Sequence, residues 1–393
     1  MRPDRVASGQ TLVVEGDRII DIVGGLRLAG DRDVHHACDG RFIVPGFVDV
    51  HVHGAVGIDV LEGAGAVAAL ARRLPRWGVT AFCPTSIACD PPTLAVLLQS
   101  VAALRLAPPV GARVLPAHLE SNFINPEFRG AQPRGCLRTF RGAPSADATP
   151  AEDFTAADVI AVVDHHRADV GVFTLAPELE GGLELVQRLV GHGIRVSLGH
   201  SGATFDQASE AIRAGATHAT HVFNRMSAMS HREPGLTGAV LSHEEVAAEL
   251  ICDGHHVHPA AMRVAIGAKT PARLMAITDG TAGSGLPAGS RARLGGQPIT
   301  VAEVARLDDG TMAGSVLTMD RAFACLVTRC GLDLVQAAHM CATTPAREMR
   351  LHGTGALVPG GLADFVVLDA QLEVVETWVG GNQVFRREAV AAD

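Results

Sequence analysis

The chain has 393 residues, of which 47% are hydrophobic, so it is long enough to bury a large core. No uninterrupted apolar stretch approaches the ~18 residues of a membrane-spanning helix, and the start of the chain lacks the apolar segment of a secretion signal. We therefore expect a cytoplasmic protein with no membrane partner. The formal charge of −9 and the single lysine, Lys269, leave no basic run for a nucleic-acid backbone, so no nucleic-acid partner is expected.

The cysteines are spread along the chain, and none of them forms a CxxC pair. Several lie in apolar, strand-like or helix-like surroundings. In a chain of this length without a secretion signal, this distribution favours reduced thiols over a disulfide framework. The eight residues are Cys38, Cys83, Cys89, Cys136, Cys252, Cys325, Cys330 and Cys341.

The two ends of the chain share a pattern of short strands separated by glycine and aspartate turns. Residues 11–44 and 354–387 both alternate in this way without an intervening helical segment. This pattern predicts hairpins. We expect the ends to pair in one small β-sandwich domain, formed by residues 1–44 and 354–393.

Between the ends, strand-like runs alternate with helical segments. The runs are nearly continuously apolar, which favours parallel strands covered on both faces. In chain order they read FIVPGFVDV, GVTAFCPTS, RVLPAHLE, VGVFTLAPE, IRVSLGH, THATHVFN, AAELICDG and RLMAITDG. Amphipathic segments between them predict helices, for example at residues 65–77, 93–106, 183–192 and 205–214.

Eight such units predict an α/β fold, with a (β/α)8 TIM-like barrel over residues 45–353. Residues 285–313 contain several glycines and short apolar runs. We interpret them as a hairpin inserted after the eighth strand.

His51 and His53 stand at the end of the first barrel strand, in the sequence VDVHVHG. Residues two apart on a strand face the same side, so both imidazoles can reach one point at the barrel mouth. Imidazole nitrogen suits Zn²⁺ and other divalent transition metals. The motif alone also fits two surface histidines, but its place after an apolar strand favours a metal site.

Further residues able to bind a metal follow later strands. They are Glu120 after RVLPAHL, His200 after IRVSLG, His221 after ATHAT and Asp279 after RLMAIT. A single polar residue at a strand end is usually a cap or a solvated group. In a barrel, however, the carboxyl ends of the strands form the face where active sites lie, so this repeated pattern predicts a metal-dependent active site.

Several motifs together carry a family resemblance. They are VDVHVHG, AHLE, SLGHSGAT, THATHVFN, HREPG, CDGHHVHP, ITDG and TMAGS. This set resembles the N-acetylglucosamine-6-phosphate deacetylases of the amidohydrolase superfamily. The resemblance covers essentially the whole chain, including the β-domain split between its ends.

The resemblance implies a set of metal ligands and a catalytic group. Glu120, His200 and His221 match the family's principal metal ligands. His51 and His53 match a pair that completes a second metal site in many members, with Glu120 bridging the ions. Asp279, beside the metal, matches the catalytic aspartate. We expect one or two divalent ions, Zn²⁺ or Fe²⁺ first, with Mn²⁺ and Co²⁺ as alternatives because the same ligands accept all four.

The resemblance also implies contacts with a substrate. His256 matches the family histidine that contacts the substrate carbonyl, although His255 and His258 stand in the same motif. Asn224 and Arg232 match phosphate-contacting residues, and the arginine reaches the active site of the neighbouring subunit in a homodimer. The small-molecule partner is then a sugar phosphate.

The implied activity is deacetylation of N-acetylglucosamine 6-phosphate to glucosamine 6-phosphate and acetate. A bound divalent ion lowers the pKa of water from about 15.7 to about 7 and so supplies hydroxide at neutral pH. Asp279 can accept the proton of the water and deliver it to the departing amine. His256 can stabilise the oxyanion of the tetrahedral intermediate.

The sequence departs from the family pattern at two places. Ser121 and Asn122 follow Glu120, where family members usually have Gly-Pro. These replacements beside the metal could change the substrate fit or the rigidity of the loop. Arg225 stands where members tend to have a small residue. Its guanidinium, a further expected substrate contact, could strengthen anion binding or indicate a different phosphorylated sugar.

Three alternatives have to be weighed against this activity. The same chemistry could act on N-acetylgalactosamine 6-phosphate or another N-acyl compound. Other amidohydrolases bridge their metals with a carboxylated lysine on a barrel strand, but Lys269 lies in a predicted helix, which argues against that branch. A non-catalytic sugar-phosphate-binding protein would be expected to have lost some of the ligands.

Ser201 and Thr204 are interpreted as turn and helix-cap residues, so no Ser-His-Asp nucleophile is predicted.

Overall fold

The computed structural model describes residues 1–25, 34–142 and 153–388. In chain order the strands are β1 (Gln10–Glu15), β2 (Arg18–Gly24), β3 (Phe42–Pro45), β4 (Phe47–Val52), β5 (Gly54–Ala55), β6 (Ile58–Asp59), β7 (Val79–Ser86), β8 (Arg113–Val114), β9 (Ala117–Glu120), β10 (Val170–Leu175), β11 (Arg195–Leu198), β12 (His218–Ala219), β13 (Ala247–Ile251), β14 (Leu274–Ile277), β15 (Arg291–Leu294), β16 (Gln297–Val301), β17 (Ala305–Leu307), β18 (Phe365–Leu368), β19 (Val374–Val379) and β20 (Asn382–Arg386). The α-helices are α1 (Ala66–Arg73), α2 (Pro91–Arg105), α3 (Ala156–His165), α4 (Gly182–Gly191), α5 (Phe205–Arg213), α6 (Gly235–Ser242), α7 (Pro259–Lys269), α8 (Met319–Thr328), α9 (Leu334–Ala338) and α10 (Thr344–Glu348).

Eight parallel strands form the predicted barrel. Their order is β14-β13-β12-β11-β10-β9-β7-β4, with the short β8 paired to β7. β14 and β4 close the circle at their carboxyl ends, where Asp279 N donates to His51 O at 2.9 Å and His53 N donates to Gly280 O at 2.8 Å. The predicted TIM-like barrel is therefore confirmed.

The barrel strands are buried because helices cover their outer face. Every residue of β4, β7 and β10 is buried, as the continuous apolar runs predicted. The sixth apolar run forms a shorter strand than its length suggested, since only His218–Ala219 of THATHVFN forms a strand. The helices predicted before β7, after β7, before β11 and after β11 are present as α1, α2, α4 and α5.

Local sequence signals explain where α5 begins. The side chain of Thr204 accepts from Gln207 N, and the side chain of Gln207 accepts from Thr204 N. The two bonds form a capping box. Ser201 Oγ accepts from Ala203 N at 3.1 Å and donates to Glu178 Oε2 at 2.7 Å. Both residues therefore have the turn and cap roles that the sequence predicted.

The two ends of the chain pair in a separate antiparallel sheet, as predicted. Its strand order is β20-β19-β18-β3, with Val366 of β18 opposite Val44 of β3. The hairpin β1–β2 contributes Ile19 to a small apolar cluster with Phe365 and Val367 of that sheet. The predicted domain bounds stay a prediction, and residues 26–33 and 389–393 of that domain lie outside the described residues.

The insertion after β14 has one more strand than predicted. β15, β16 and β17 form a three-stranded antiparallel sheet where the sequence predicted a hairpin. Ile299 and Leu294 of this sheet pack against Ile87, and Asp59 Oδ2 accepts from Gly295 N at 2.5 Å. The insertion thereby lies against loops at the carboxyl ends of the barrel strands.

Two further observations concern the whole of the described chain. None of its helices combines the length and the apolar character that crossing a membrane requires. All eight cysteines lie within the described residues and are free thiols.

Candidate active site

Six side chains that can bind a metal meet at the carboxyl ends of the barrel strands. They are His51 on β4, His53 directly after β4, Glu120 at the end of β9, and His200, His221 and Asp279 just after β11, β12 and β14. All six are buried, with exposed fractions between 0% and 7%. The barrel therefore brings together the residues that the sequence predicted as metal ligands.

The backbone is strained where three of these side chains leave their strands. The φ angle is +48° at His200, +33° at His221 and +47° at Asp279. Residues other than glycine rarely adopt positive φ, and each instance costs on the order of 1–3 kcal/mol. Strain that recurs at three strand ends is typical of a functional site, where the surroundings hold each side chain in a required direction.

Glu120, His200 and His221 form a first cluster. Glu120 Oε1 lies 2.8 Å from His200 Nε2 and 2.9 Å from His221 Nε2. The two Nε2 atoms are 3.1 Å apart. Ligands of a tetrahedral zinc ion, with bonds of about 2.0–2.1 Å, stand ~3.3 Å from one another, so this spacing fits a divalent ion.

His51, His53 and Asp279 form a second cluster beside the first. His53 Nε2 lies 3.2 Å from His51 Nε2 and 3.1 Å from Asp279 Oδ1. Glu120 lies between the clusters, since its Oε1 is 3.8 Å from His51 Nε2 and its Oε2 is 3.8 Å from His53 Nε2. This position is the one that a bridging carboxylate requires.

Hydrogen bonds at the far side of the rings orient the histidines. His53 Nδ1 lies 3.0 Å from Thr85 O, and His200 Nδ1 lies 2.8 Å from Phe128 O. A ring nitrogen that faces a carbonyl oxygen carries the hydrogen, so Nε2 of a neutral ring turns its lone pair toward the cluster. When neutral, these rings therefore present lone pairs as metal ligands do, and when Nε2 carries a hydrogen it can donate to a neighbouring carboxylate instead.

The charges at the cluster also fit a bound cation. Burial lowers the pKa of His221, but the hydrogen bond and charge of Glu120 raise it to about 9. Burial likewise lowers the pKa of His53, and the hydrogen bond and charge of Asp279 raise it to about 9. Without a metal, protons on these two rings therefore compensate the two buried carboxylates.

Metal uptake should consequently release protons. At pH 7 both His53 and His221 are protonated in the metal-free protein, and ligands must be deprotonated to bind, so Zn²⁺ should displace about two protons. Affinity should therefore weaken as the pH falls below about 9. Calorimetry of Zn²⁺ binding in buffers of different ionisation enthalpy measures the proton count. A count near zero at pH 7 would contradict this assignment.

Of the three histidines in CDGHHVHP, His256 is the one whose ring is buried and held by a carboxylate. Asp253 Oδ2 lies 2.6 Å from His256 Nδ1, and Asp253 Oδ1 accepts from His256 N at 2.8 Å. The side chain of His256 is only 5% exposed. His255 instead faces Glu303 at 3.9 Å, and His258 caps α7 through Ala260 N. These contacts support His256 as the functional histidine.

The orienting residue Asp253 was not singled out from the sequence. Burial raises its pKa, but the hydrogen bond and charge of His256 and the backbone N–H groups of His255 and His256 lower it below its usual value. Asp253 is therefore ionised at neutral pH and holds Nδ1–H of His256, which leaves Nε2 free. Its place three residues before His256 was the available signal.

Two other buried residues that hold ligands were also missed. The side-chain amide of Gln132 donates to Glu120 Oε2, while its carbonyl oxygen accepts from Ala88 N at 2.7 Å. Glu249, on β13, lies 2.8 Å from His51 Nδ1 through its Oε2. No local pattern in the sequence marks Gln132, whereas Glu249 is a carboxylate inside an apolar run and could have been noticed for that reason.

Ser121 and Asn122, the departures from the family pattern, are built into the barrel wall. Ser121 Oγ donates to Thr174 O at 2.5 Å, and both residues are 3% exposed. Asn122 Nδ2 donates to Cys89 O and to Cys136 O, each at 2.8 Å. These bonds tie the loop after Glu120 to its neighbours, so the two residues affect loop rigidity through backbone contacts.

The residues expected to contact a phosphate lie outside the buried clusters. Asn224 is half-buried and Nδ2 donates to His221 O at 3.3 Å. Arg225 is exposed, with φ +50°, and its Nε lies over Gly130, where a β-carbon would be 3.0 Å away. Arg232 is exposed and its Nη1 lies 3.0 Å from His231 Nε2. Within the described residues Arg232 forms no ion pair with its neighbour Glu233.

The sequence matches the amidohydrolase family over residues 42–384. Among similar proteins, N-acetylglucosamine-6-phosphate deacetylase of Danio rerio is 38% identical over 372 residues, which are 91% of this chain and 88% of the relative. N-acetylgalactosamine-6-phosphate deacetylase of Escherichia coli O157:H7 is 35% identical over 88% of each chain.

Solved structures agree with these matches. N-acetylglucosamine-6-phosphate deacetylase of Pasteurella multocida superposes with a TM-score of 0.87 at 25% identity, covering 97% of this chain and 96% of the other. A mutant of the Mycobacterium smegmatis enzyme, solved with N-acetyl-D-glucosamine-6-phosphate, gives a TM-score of 0.81 at 32% identity over 95% and 94% of the chains.

The chain therefore belongs to the amidohydrolase family, whose members depend on a metal. The relatives named above are deacetylases of phosphorylated amino sugars, and they match this chain along nearly all of its length.

Proposed function

We propose that this protein hydrolyses the acetamide of N-acetylglucosamine 6-phosphate to give glucosamine 6-phosphate and acetate. The observation that carries the proposal is the meeting of Asp279 with two adjoining ligand clusters that share Glu120. The names of the similar proteins supply the substrate class. All of the predicted metal ligands are present. This argues against a protein that binds a sugar phosphate but has lost catalytic activity.

The proposed cofactor is one or two divalent metal ions, with Zn²⁺ or Fe²⁺ ahead of Mn²⁺ or Co²⁺. Glu120, His200 and His221 would hold the first ion. His51 and His53, together with Glu120 and Asp279, would hold the second. A divalent ion held there would lower the pKa of water and polarise the amide carbonyl, which would make an unreactive amide open to attack at neutral pH.

Asp279 carries the proton in the proposed reaction. Burial raises its pKa, but the hydrogen bond from His53 and the charges of His51 and His53 lower it below its usual value, so the carboxylate is ionised. It can therefore accept a proton from the attacking water. When the carbon–nitrogen bond breaks, Asp279 returns this proton to the amine nitrogen, which leaves as a neutral amine.

His256 stabilises the charge that develops on the carbonyl oxygen. Because Nδ1–H is held by Asp253, only Nε2 can face the substrate, and it donates when the ring carries both hydrogens. The negative charge of Asp253 compensates that doubly protonated ring. Donors that are fixed before the reaction stabilise an oxyanion without further reorganisation.

The phosphate group is proposed to bind at the barrel mouth. Asn224 and Arg225 lie next to His221, and guanidinium groups pair with phosphate through two parallel hydrogen bonds. Arg232 stands on an exposed segment. This exposure supports the proposal that it reaches the active site of the neighbouring subunit in a homodimer. A cytoplasmic location stays a prediction.

Asp253→Asn tests the role of the Asp253–His256 pair. We expect kcat to fall roughly 10- to 100-fold with little change in KM, because a misoriented oxyanion donor weakens only the transition state. Steady-state acetate release measures both constants. His255→Asn is the matched control, since His255 is exposed and faces Glu303, and it should keep kcat within about twofold. An Asp253→Asn protein with unchanged kcat would contradict the proposed orientation.

A substrate panel tests the proposed function directly. Acetate release is measured with the metal-loaded protein on N-acetylglucosamine 6-phosphate, unphosphorylated N-acetylglucosamine and N-acetylgalactosamine 6-phosphate. We expect the phosphorylated gluco compound to be turned over with a kcat/KM at least about 100-fold above the unphosphorylated sugar, because the latter lacks the group that the arginines are proposed to bind. No turnover of any of the three would overturn the assignment.

The galacto compound is the second candidate substrate. The similarity to the Escherichia coli N-acetylgalactosamine-6-phosphate deacetylase favours including it, as does Arg225 at the phosphate end. A higher kcat/KM for this epimer than for the gluco compound would keep the reaction and change the substrate.

A further inference from the structure

The end of the barrel opposite the candidate active site carries a cluster of basic side chains. Arg195 begins β11, His218 begins β12 and Arg273 directly precedes β14. Arg350 follows the end of α10, a helix that contacts β14 and β4. Because parallel strands begin at the same end of a barrel, these four residues, which we name the basal cluster, come together although they are distant in sequence.

Two of these side chains face the inside of the barrel. Ser197 Oγ and Thr220 Oγ1 are hydrogen-bonded at 2.6 Å, so both point to the barrel interior. Side chains two apart on a strand share a face, which places Arg195 with Ser197. His218 is the register partner of Ser197 on the adjacent parallel strand and shares that face. His218 is 3% exposed. Arg195 and His218 therefore line the base of the barrel, while Arg273 is half-buried and Arg350 is exposed.

The basal cluster lacks the negative charge that would neutralise it. Within residues 1–25, 34–142 and 153–388, the side chains of Arg195 and Arg350 form no hydrogen bond or ion pair. The carboxylate at this place is Glu348, which lies 2.6 Å from Arg347 Nη2 and 3.4 Å from Arg273 Nη1. One carboxylate shared by two arginines leaves the remaining positive charges uncompensated.

Two observations on the buried groups agree with this deficit. Nε2 of His218 is buried and has no hydrogen-bond partner in the described chain, and Glu348 Oε2 stands 3.7 Å away from it. Burial and the charges of Arg195, Arg273 and Arg350 lower the pKa of His218 to about 3. A buried polar atom without a partner is unusual in a folded protein and calls for an explanation such as a bound ion.

The backbone at Arg350 is strained. Its φ angle is +55°, a conformation in which glycine or asparagine is the usual residue. An arginine at such a position is held against its local preference, and it has no partner within the described chain that would account for it. Strain of this kind is a reason to look for a functional contact.

We propose that the basal cluster binds a small oxyanion of the phosphate class. The guanidinium groups of Arg195 and Arg350 would pair with its oxygens, and Nε2–H of His218 would donate to it. The anion would supply the missing negative charge and the missing acceptor together. The site lies at the far end of the barrel from Asp279, so it does not depend on the proposed function.

Calorimetric titration with inorganic phosphate tests the proposal. The protein carries Arg225→Gln and Arg232→Gln, so that phosphate binding at the candidate active site is weakened. We expect one phosphate per chain. Arg195→Gln in this background should weaken binding at least about tenfold, the effect of losing a hydrogen bond between charged partners. Arg72→Gln, an exposed arginine on α1, is the matched control and should bind as the background protein does.

A second variant separates binding from folding. Arg350→Asn removes the charge but suits the left-handed backbone, so the Tm without phosphate should stay equal or rise while phosphate affinity falls at least about tenfold. Glycerol phosphate, which is not a product of the proposed reaction, is titrated in parallel: binding like that of phosphate identifies a phosphate ester as an occupant, and its exclusion identifies the free anion. No phosphate binding in the background protein, or equal affinity in Arg195→Gln, would overturn the proposal. Neither outcome bears on turnover at the active site.

Discussion

Asp279→Asn is expected to lower kcat for acetate release by about 10²- to 10⁴-fold, the contribution typical of a positioned general acid–base group. The amide keeps the size of the carboxylate and an oxygen that can face His53, which lies 3.1 Å from Asp279 Oδ1. It cannot accept the proton of the attacking water or return it to the amine. Asparagine tolerates the φ of +47° at this position as well as aspartate does, so the backbone should not change.

The control for this variant is Asp308→Asn. Asp308 is an exposed aspartate directly after β17, paired with Arg291 at 2.7 Å, and its replacement should leave kcat within about twofold. Metal content by elemental analysis separates a lost proton carrier from a lost ligand. If Asp279→Asn retained both its metal and a normal kcat, the role assigned to Asp279 would be wrong.

Glu120→Gln should weaken metal binding by at least about 100-fold and remove activity with it. Replacing a group that merely supports a ligand already costs about 10- to 100-fold, and Glu120 itself faces both clusters. Burial raises the pKa of Glu120, but the charge of His200 and the hydrogen bonds from His200 and His221 bring it well below its usual value. The wild-type residue is therefore a full negative charge, which glutamine lacks.

Competition with a chelator of known affinity measures this effect. Gln132→Leu provides a graded comparison, since Gln132 donates to Glu120 without facing the ion, and its loss should weaken metal binding by about tenfold. Activity should follow metal content in both variants. Wild-type metal content in Glu120→Gln at limiting metal would contradict its place between the two clusters.

The contacts of the loop after Glu120 decide between the two roles that the sequence left open for it. From the sequence, Ser121 and Asn122 could have altered either the substrate fit or the loop. Their side chains bind backbone oxygens of Thr174, Cys89 and Cys136, which ties this loop to neighbouring segments. Selection between the gluco and galacto epimers is therefore better sought among residues at the open barrel mouth, such as Arg225.

The sequence by itself determined the barrel and most of the proposed metal site. Continuous apolar runs predict parallel strands covered on both faces, because that signal depends only on neighbouring residues. His51 and His53 follow from the same local logic, since residues two apart share a face. Glu120 could be placed with them from its position at a strand end, because all parallel strands end at one edge. The particular roles came from the family resemblance.

Only the tertiary structure decided which distant groups support the site or form another one. Gln132 reaches Glu120 through the path of an irregular loop, and Glu249 meets His51 across the closed barrel. Arg195 and Arg350 come together because a strand start and a helix end meet at the barrel base. The physical reason is the same in each case. Secondary structure follows the spacing of nearby residues, whereas these contacts depend on how the barrel closes and where its loops return.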